Sequence, residues 1–154
     1  MPSFGGLIAK QIEINQTFNS DRKQSIMKYI VETKKTVDQA ALDLQKAVST
    51  HSFGVLHTYD LKETLKTKGI DLPRECRVFE ICNPKQAAAV LADDMDMNMA
   101  LPCRISVWEN EGDKVKIGMI SPKDMLASLS NSPVLKKIAQ EVEDVMKAII
   151  QDAK

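Results

Sequence analysis

From Ser132-Pro133 onward the chain reads as one long amphipathic helix, and that helix constrains the fold more than any other feature. Leu135, Ile138, Val142, Val145, Met146, Ile149 and Ile150 recur at helical spacing as one apolar stripe, opposed by Lys137, Glu141, Asp144 and Lys147. A stripe of this length must lie on an apolar surface, so the preceding residues have to build one.

The surface they offer is a sheet. Met27 to Thr33 is a β-branched and aromatic run that suits a strand. Thr36 with Gln39 three residues later then forms a capping-box pattern. Behind it Val37, Ala40, Ala41, Leu44, Ala47 and Val48 recur at helical spacing until His51-Ser52-Phe53-Gly54. The small Ala40 and Ala41 imply close packing on a sheet. Phe53 to Tyr59 reads as a second strand, followed by a short helix from Asp60 that Gly69 ends. Cys76 to Cys82 is a third strand. Asn83 then caps a helix, Pro84 takes its first position, Gln86 its third, and Ala87, Ala88, Val90 and Leu91 carry it to Asp93-Asp94. Cys103 to Glu109 and Lys114 to Ile120 are two more strands, joined by the hairpin loop Asn110-Glu111-Gly112-Asp113. Ser121-Pro122 opens a short helix before the last one. The order strand, helix, strands, long C-terminal helix predicts an α+β fold, a mainly antiparallel sheet with helices packed on one face.

Composition limits what such a domain can do. With 154 residues, 44% hydrophobic and 27% charged, one core is expected: residues 1–24 form an N-terminal extension and residues 25–154 a single domain. The extension is largely polar, with a short helix predicted over Leu7, Ile8, Ile12 and Ile14. Lys plus Arg balance Asp plus Glu at 21 each, leaving no overall field to gather nucleic acid or an anionic membrane, so no nucleic-acid partner is predicted. Lys10, Glu13 and Asn15 interrupt the apolar start before a signal-peptide core is complete, and no run reaches membrane-spanning length. Three cysteines are an odd count that fits neither a disulfide framework nor a zinc ribbon, and they point to a reducing cytoplasm.

The residues with chemical promise sit at element edges. Cys82 directly precedes a capped helix. A helix N-terminus favours a thiolate there, while a small apolar residue buried at a strand end is the plainer reading. Cys103 follows Pro102 at the start of a strand. The two thiols either face one another across neighbouring strands, as a redox pair or soft ligands, or simply hold a turn. Arg104 could pair with a carboxylate or phosphate of a ligand. His57 and Asp60 flank Tyr59 where a strand passes into a helix, and Lys68 ends that helix; Asp60 also has the task of N-cap. Asp94-Met95-Asp96-Met97-Asn98-Met99 alternates thioethers that would share one face of an extended segment. Methionine is more often an adaptable filler, and no metal site is predicted. A glycine-rich phosphate loop, a Gly-x-Ser-x-Gly elbow and a His-Glu-x-x-His motif are all missing from the sequence.

Taken together, Cys82-Asn83-Pro84, Leu101-Pro102-Cys103-Arg104, Phe53-Gly54-Val55-Leu56, Asp60-Leu61, Thr64-Leu65 and Lys68 make the stretch from Ser25 to the C-terminus resemble the family of domains of unknown function called DUF302. The resemblance implies that both thiols belong to a shared pattern, although that family usually has aliphatic residues where the methionines alternate. It also implies a sheet-and-helix fold of the kind seen in lipid-binding helix-grip proteins, paired as a homodimer. The leading expectation is a small cytoplasmic homodimer that binds an apolar or amphipathic molecule between sheet and helices, near Cys82 and Cys103. A thiol redox or metal/cofactor protein using the same pair is the second, and a structural interaction module the third.

Overall fold

In a computed structural model, which describes residues 6–13 and 27–154, the chain folds as an α+β domain around one antiparallel sheet. A short helix α1 covers residues 6–13, all of them exposed; Ile14, also expected in it, lies outside the described residues. The domain proper runs β1 (Lys28–Thr33), α2 (Val37–Thr50), β2 (Gly54–Asp60), α3 (Leu61–Thr67), β3 (Cys76–Cys82) and α4 (Pro84–Asp93). A 3-10 turn (Met95–Ala100), β4 (Cys103–Glu109), β5 (Val115–Ile120), α5 (Pro122–Leu129) and α6 (Pro133–Ala153) complete it. The five strands lie in the order β1-β5-β4-β3-β2.

Local signals set these boundaries. Each helix from α2 to α6 starts at a side chain that accepts a hydrogen bond from a backbone N–H of its first turn: Thr36, Asp60, Asn83, Ser121 and Ser132. Proline follows three of those caps, at a position where a missing N–H costs nothing. Between β4 and β5 a single tight turn places Gly112 at φ 72°, the left-handed conformation that glycine adopts without penalty.

Strand alternation gives the sheet two unlike faces. Phe79 and Ile81 of β3, Ile105 and Val107 of β4, and Val115, Ile117 and Met119 of β5 all point to the helical side and are buried. There they meet Ala40, Leu44 and Val48 of α2 and Met146, Ile149 and Ile150 of α6. A second, smaller cluster joins Val90 of α4, Met97, Leu126 of α5, and Leu135 and Ala139 of α6. Helix α6 therefore spans both clusters, its first turns on the small one and its remainder on the sheet, and Ile138 packs partly against each.

Among the described residues, α2 and α6 lie on the first face and the opposite face is open. Arg104, Ser106 and Trp108 of β4 point that way, beside Gly118 and Ile120 of β5 and Ile30 of β1. A Cβ on Gly118 would stand 3.0 Å from Ile30 Cγ1, from Trp108 Cη2 and from the Tyr29 carbonyl, so only glycine lets those side chains lie across the strand.

Three polar arrangements hold the helices in place. Glu143, buried on α6, accepts hydrogen bonds from the Ser121 hydroxyl, from the Lys123 N–H at 3.0 Å and from Lys147 Nζ at 2.8 Å, which fixes the start of α5 to α6. Burial pushes its carboxyl up, but the Lys147, Ser121 and Lys123 hydrogen bonds and the Lys147 charge outweigh this and hold it below the ordinary glutamate range. Lys35 bridges Asp43 at 2.7 Å and the Ala153 carbonyl at 2.9 Å, joining α2 to the end of α6. Arg77 pairs with Asp38 at the start of α2 and lies 3.8 Å from Asp60.

The methionine segment departs from the sequence expectation. Met95–Ala100 forms a 3-10 turn, not an extended segment, and Met97 is buried in the small cluster while Met95 and Met99 are exposed. Three residues per turn carry alternate residues to different sides, so the thioethers do not share a face. Among the described residues, no group of three or more His, Cys, Asp or Glu side chains could hold a metal ion.

Candidate ligand-binding site

The seam between the two clusters is incompletely filled. A cavity of about 300 Å³ opens where the sheet ends and α4, α5 and α6 converge. Ile81 and Cys103 supply its sheet wall, Ala87, Val90 and Leu91 come from α4, Met125 and Leu126 from α5, and Ile138 and Val142 from α6. Phe53 and Leu56 close it from β2, and Ala100-Leu101-Pro102 from the chain entering β4, where the Leu101–Pro102 peptide is cis. The physical origin of the space is topological. Beyond Ile81 and Cys103 the strands stop, and two short helices of ten and eight residues must cover what a continuous sheet covers elsewhere.

None of the lining residues is an acid, a base or a histidine. Apart from the two cysteines, the polar side chains are Asn83 and Gln86. Each polar atom of the Asn83 side chain has a partner: its Oδ1 accepts the Gln86 N–H at 3.1 Å and its Nδ2 donates to the Ser52 carbonyl at 3.4 Å. Gln86 is not. Its Oε1 is buried and has no hydrogen-bond partner, the one side-chain atom in that condition among the described residues. Such an orphan acceptor costs about 1–3 kcal/mol.

The thiols border the cavity without being cross-strand partners. Cys103 stands opposite Ile81 and Cys82 opposite Gly54, so each faces a different neighbour, and all three cysteines are free. Burial, with a smaller contribution from Cys82, pushes the Cys103 thiol up to about 11. Cys103 is therefore a protonated, weakly polar wall group at neutral pH, the opposite of the lowered thiol that marks a nucleophile.

Of the residues singled out in the sequence, Cys82, Asn83, Pro102 and Cys103 meet at this cavity. Arg104, exposed, points to the open side of the sheet and borders a second hollow of about 390 Å³ with Lys28, Ser106 and Trp108. Leu101, Pro102 and Cys103 border both spaces and so form a shared wall. The remaining four lie elsewhere. Pro84 is exposed at the first position of α4, and Asp60 caps α3 by accepting the Glu63 N–H at 3.0 Å. Lys68 ends α3 in solvent. His57 is exposed on the open face, its ring edge-on to Tyr59 at 4.4 Å and opposite Glu80 in register. There the Tyr59 phenol is raised by its hydrogen bond with Glu80, by burial and by the Glu80 charge. Sequence reading missed Gln86 as a site residue, and the signal was present: it is the polar residue on a helix face shared with Ala87, Val90 and Leu91.

An antiparallel five-stranded sheet covered on one face by helices, with a long C-terminal helix, defines the class of fold. The chain belongs to the DUF302 family, described as a domain of unknown function, whose model matches residues 29–153. It is similar to an uncharacterised conserved DUF302 protein from Bacillus stearothermophilus, known from a crystal structure. The two share 31% sequence identity and a TM-score of 0.77 over 83% of this chain and 98% of that one. Among curated proteins no match is found. No helix among the described residues is long and apolar enough to cross a membrane.

Proposed function

We propose that this protein binds a small apolar or amphipathic molecule in the cavity between the end of the sheet and helices α4, α5 and α6. The observation that carries the reading is a space of about 300 Å³ walled by aliphatic side chains and free of charged ones, set between two otherwise closed hydrophobic clusters. Small-molecule sites are typically concave and mostly apolar, with a few polar groups that fix orientation. The thiol redox reading is the weaker one, because burial holds Cys103 protonated where a redox thiol needs a lowered pKa.

Self-association belongs to the same proposal. Ile30, Trp108 and Ile120 form an apolar strip around Gly118, beside Lys28 and Arg104, on the sheet face left open among the described residues, and a second copy of this chain is the partner proposed to cover it. A reducing cytoplasm is the proposed compartment, in keeping with three free thiols.

Native mass spectrometry of protein purified without reductant tests ligand binding and self-association together. The expected result is a dimer mass plus an adduct that is lost on denaturation. A bare chain mass that falls by two hydrogens and recovers on reduction would replace the binding reading with the thiol reading.

A further inference from the structure

The second hollow, on the open face of the sheet, differs from the cavity in charge. It measures about 390 Å³ and is lined by Lys28 and Arg104, with no Asp, Glu or His in its wall. The register places both cations at one end of the apolar strip. Lys28 on β1 stands opposite Ile120 on β5, and Gly118 of the same strand stands opposite Ser106 on β4, two residues from Arg104. Strands β1 and β4 flank β5, so two inter-strand spacings, about 10 Å, separate the cation-bearing backbones, a gap that two long side chains close around one anion. Among the described residues neither cation has an ion-pair partner. Glu80, the cross-strand neighbour of Arg104, hydrogen-bonds with the Tyr59 phenol and does not line the hollow. Away from the cations the floor is apolar: Ile30 and Ile120, both exposed, flank Gly118, and the Trp108 ring lies across it.

From this arrangement we infer that the hollow binds a single-chain amphipathic anion, a carboxylate on an alkyl chain, with its head between Lys28 and Arg104 and its chain along Ile120, Gly118 and Trp108. The guanidinium fork matches a carboxylate, and the apolar floor beside it suits the hydrocarbon. At the packing density of protein interiors, about 390 Å³ accommodates a body of about a dozen non-hydrogen atoms. An anionic membrane surface is a poorer match, because the site is concave and the protein carries no formal net charge. The pairing proposed above does not supply the counter-charge either. An isologous contact sets the same patch of each copy against the other, which brings a second Lys28 and Arg104 and no acid from the strip itself. The inference does not rest on the cavity between the sheet end and α4, α5 and α6.

The test titrates the full chain, at fixed protein concentration and neutral pH, with decanoate, 1-decanol and decyltrimethylammonium. Equilibrium dialysis measures binding, and the emission of Trp108 locates it, since the single tryptophan lines the hollow and not the cavity. Decanoate should bind about tenfold more tightly than 1-decanol and shift the emission to shorter wavelength as its chain covers the indole, and the ammonium should bind more weakly than either. Arg104→Gln and Lys28→Gln, both at exposed positions, should each weaken decanoate by about three- to tenfold and leave 1-decanol unchanged. Decanoate bound without a change in emission would move the anion to the cavity, overturning this inference while the reading above stands. Equal affinity for decanoate and 1-decanol, or decanoate affinity unaffected in both variants, would reduce the hollow to an apolar surface and overturn it as well. Emission that responds to phosphatidylglycerol vesicles but not to decanoate would replace the small ligand with a membrane surface.

Discussion

Helix α6 rests on two hydrophobic regions of different quality. Along its C-terminal part, Met146, Ile149 and Ile150 are wholly excluded from solvent against Leu44, Phe79, Ile105 and Ile117. Near its start, Leu135 and Ala139 join a smaller cluster, and Ile138 and Val142 border a space of about 300 Å³. The difference teaches where a binding site can arise in a fold like this. Alternating strand side chains interdigitate with two helices and leave no room, while the end of the sheet depends on short elements that cannot close the same volume.

Substitutions can break or sharpen that contrast. Phe79→Ala in the filled region should show the largest effect, a loss of about 3–5 kcal/mol in urea-induced unfolding, because the neighbours cannot collapse into the space. A loss below about 1 kcal/mol would mean that the filled region is as loose as the seam. Ala40→Leu, at a fully buried position of α2, should cost about 1–3 kcal/mol through overpacking. The matching change in the seam, Ala87→Leu, should alter stability by less than about 1 kcal/mol, since the cavity accepts the added carbons, and should remove the adduct expected in native mass spectrometry.

Between the two regions, Glu143 ties α5 to α6. Glu143→Ala leaves the Ser121 hydroxyl and the Lys123 N–H without their acceptor and should cost about 1–3 kcal/mol at neutral pH. The folded carboxyl is held below its ordinary value, so this contribution is fully present above the unfolded glutamate pKa of about 4.3 and is lost as pH falls through the lower folded value. The gap between wild type and variant, followed by urea unfolding, should therefore narrow on acidification, and on the alkaline side only where Lys147, raised by Glu143, gives up its proton. A gap that stays unchanged on acidification would contradict the ionised carboxylate.

The smallest effect belongs to the open face of the sheet. Trp108 is the single tryptophan, and dilution that separates the proposed pair of copies across this face should shift its emission to longer wavelength at unchanged far-ultraviolet circular dichroism. Constant emission while the mass falls from dimer to monomer would place the contact elsewhere, and a monomer mass at every concentration would remove the proposed dimer.

Much of the fold was legible locally. Thr36, Asp60, Asn83-Pro84, Ser121-Pro122 and Ser132-Pro133 announce five helix starts because a cap acts within one turn of the residue that makes it. The strands Cys76–Cys82 and Cys103–Glu109 match their sequence patterns residue for residue, since burial on one face imposes alternation directly. The methionine alternation misled for a related reason: period two also arises by chance in a short segment, and here Met97 is buried in a 3-10 turn capped by Asp94 while Met95 and Met99 are exposed.

The candidate site was legible only in part. Sequence placed Cys82, Asn83, Pro102 and Cys103 at element edges, where the cavity lies, but could not separate them from His57, Asp60 and Lys68, which face other surroundings. The apolar stripe of α6 determined that a covering surface must exist, because periodicity is a property of neighbouring residues. Which parts of that surface would be filled, which side of the sheet would stay open, and that Gln86 would be left with a buried, unpartnered oxygen were decided only by tertiary structure. Voids and unmet hydrogen bonds are properties of groups brought together from distant parts of the chain, and no local pattern encodes them.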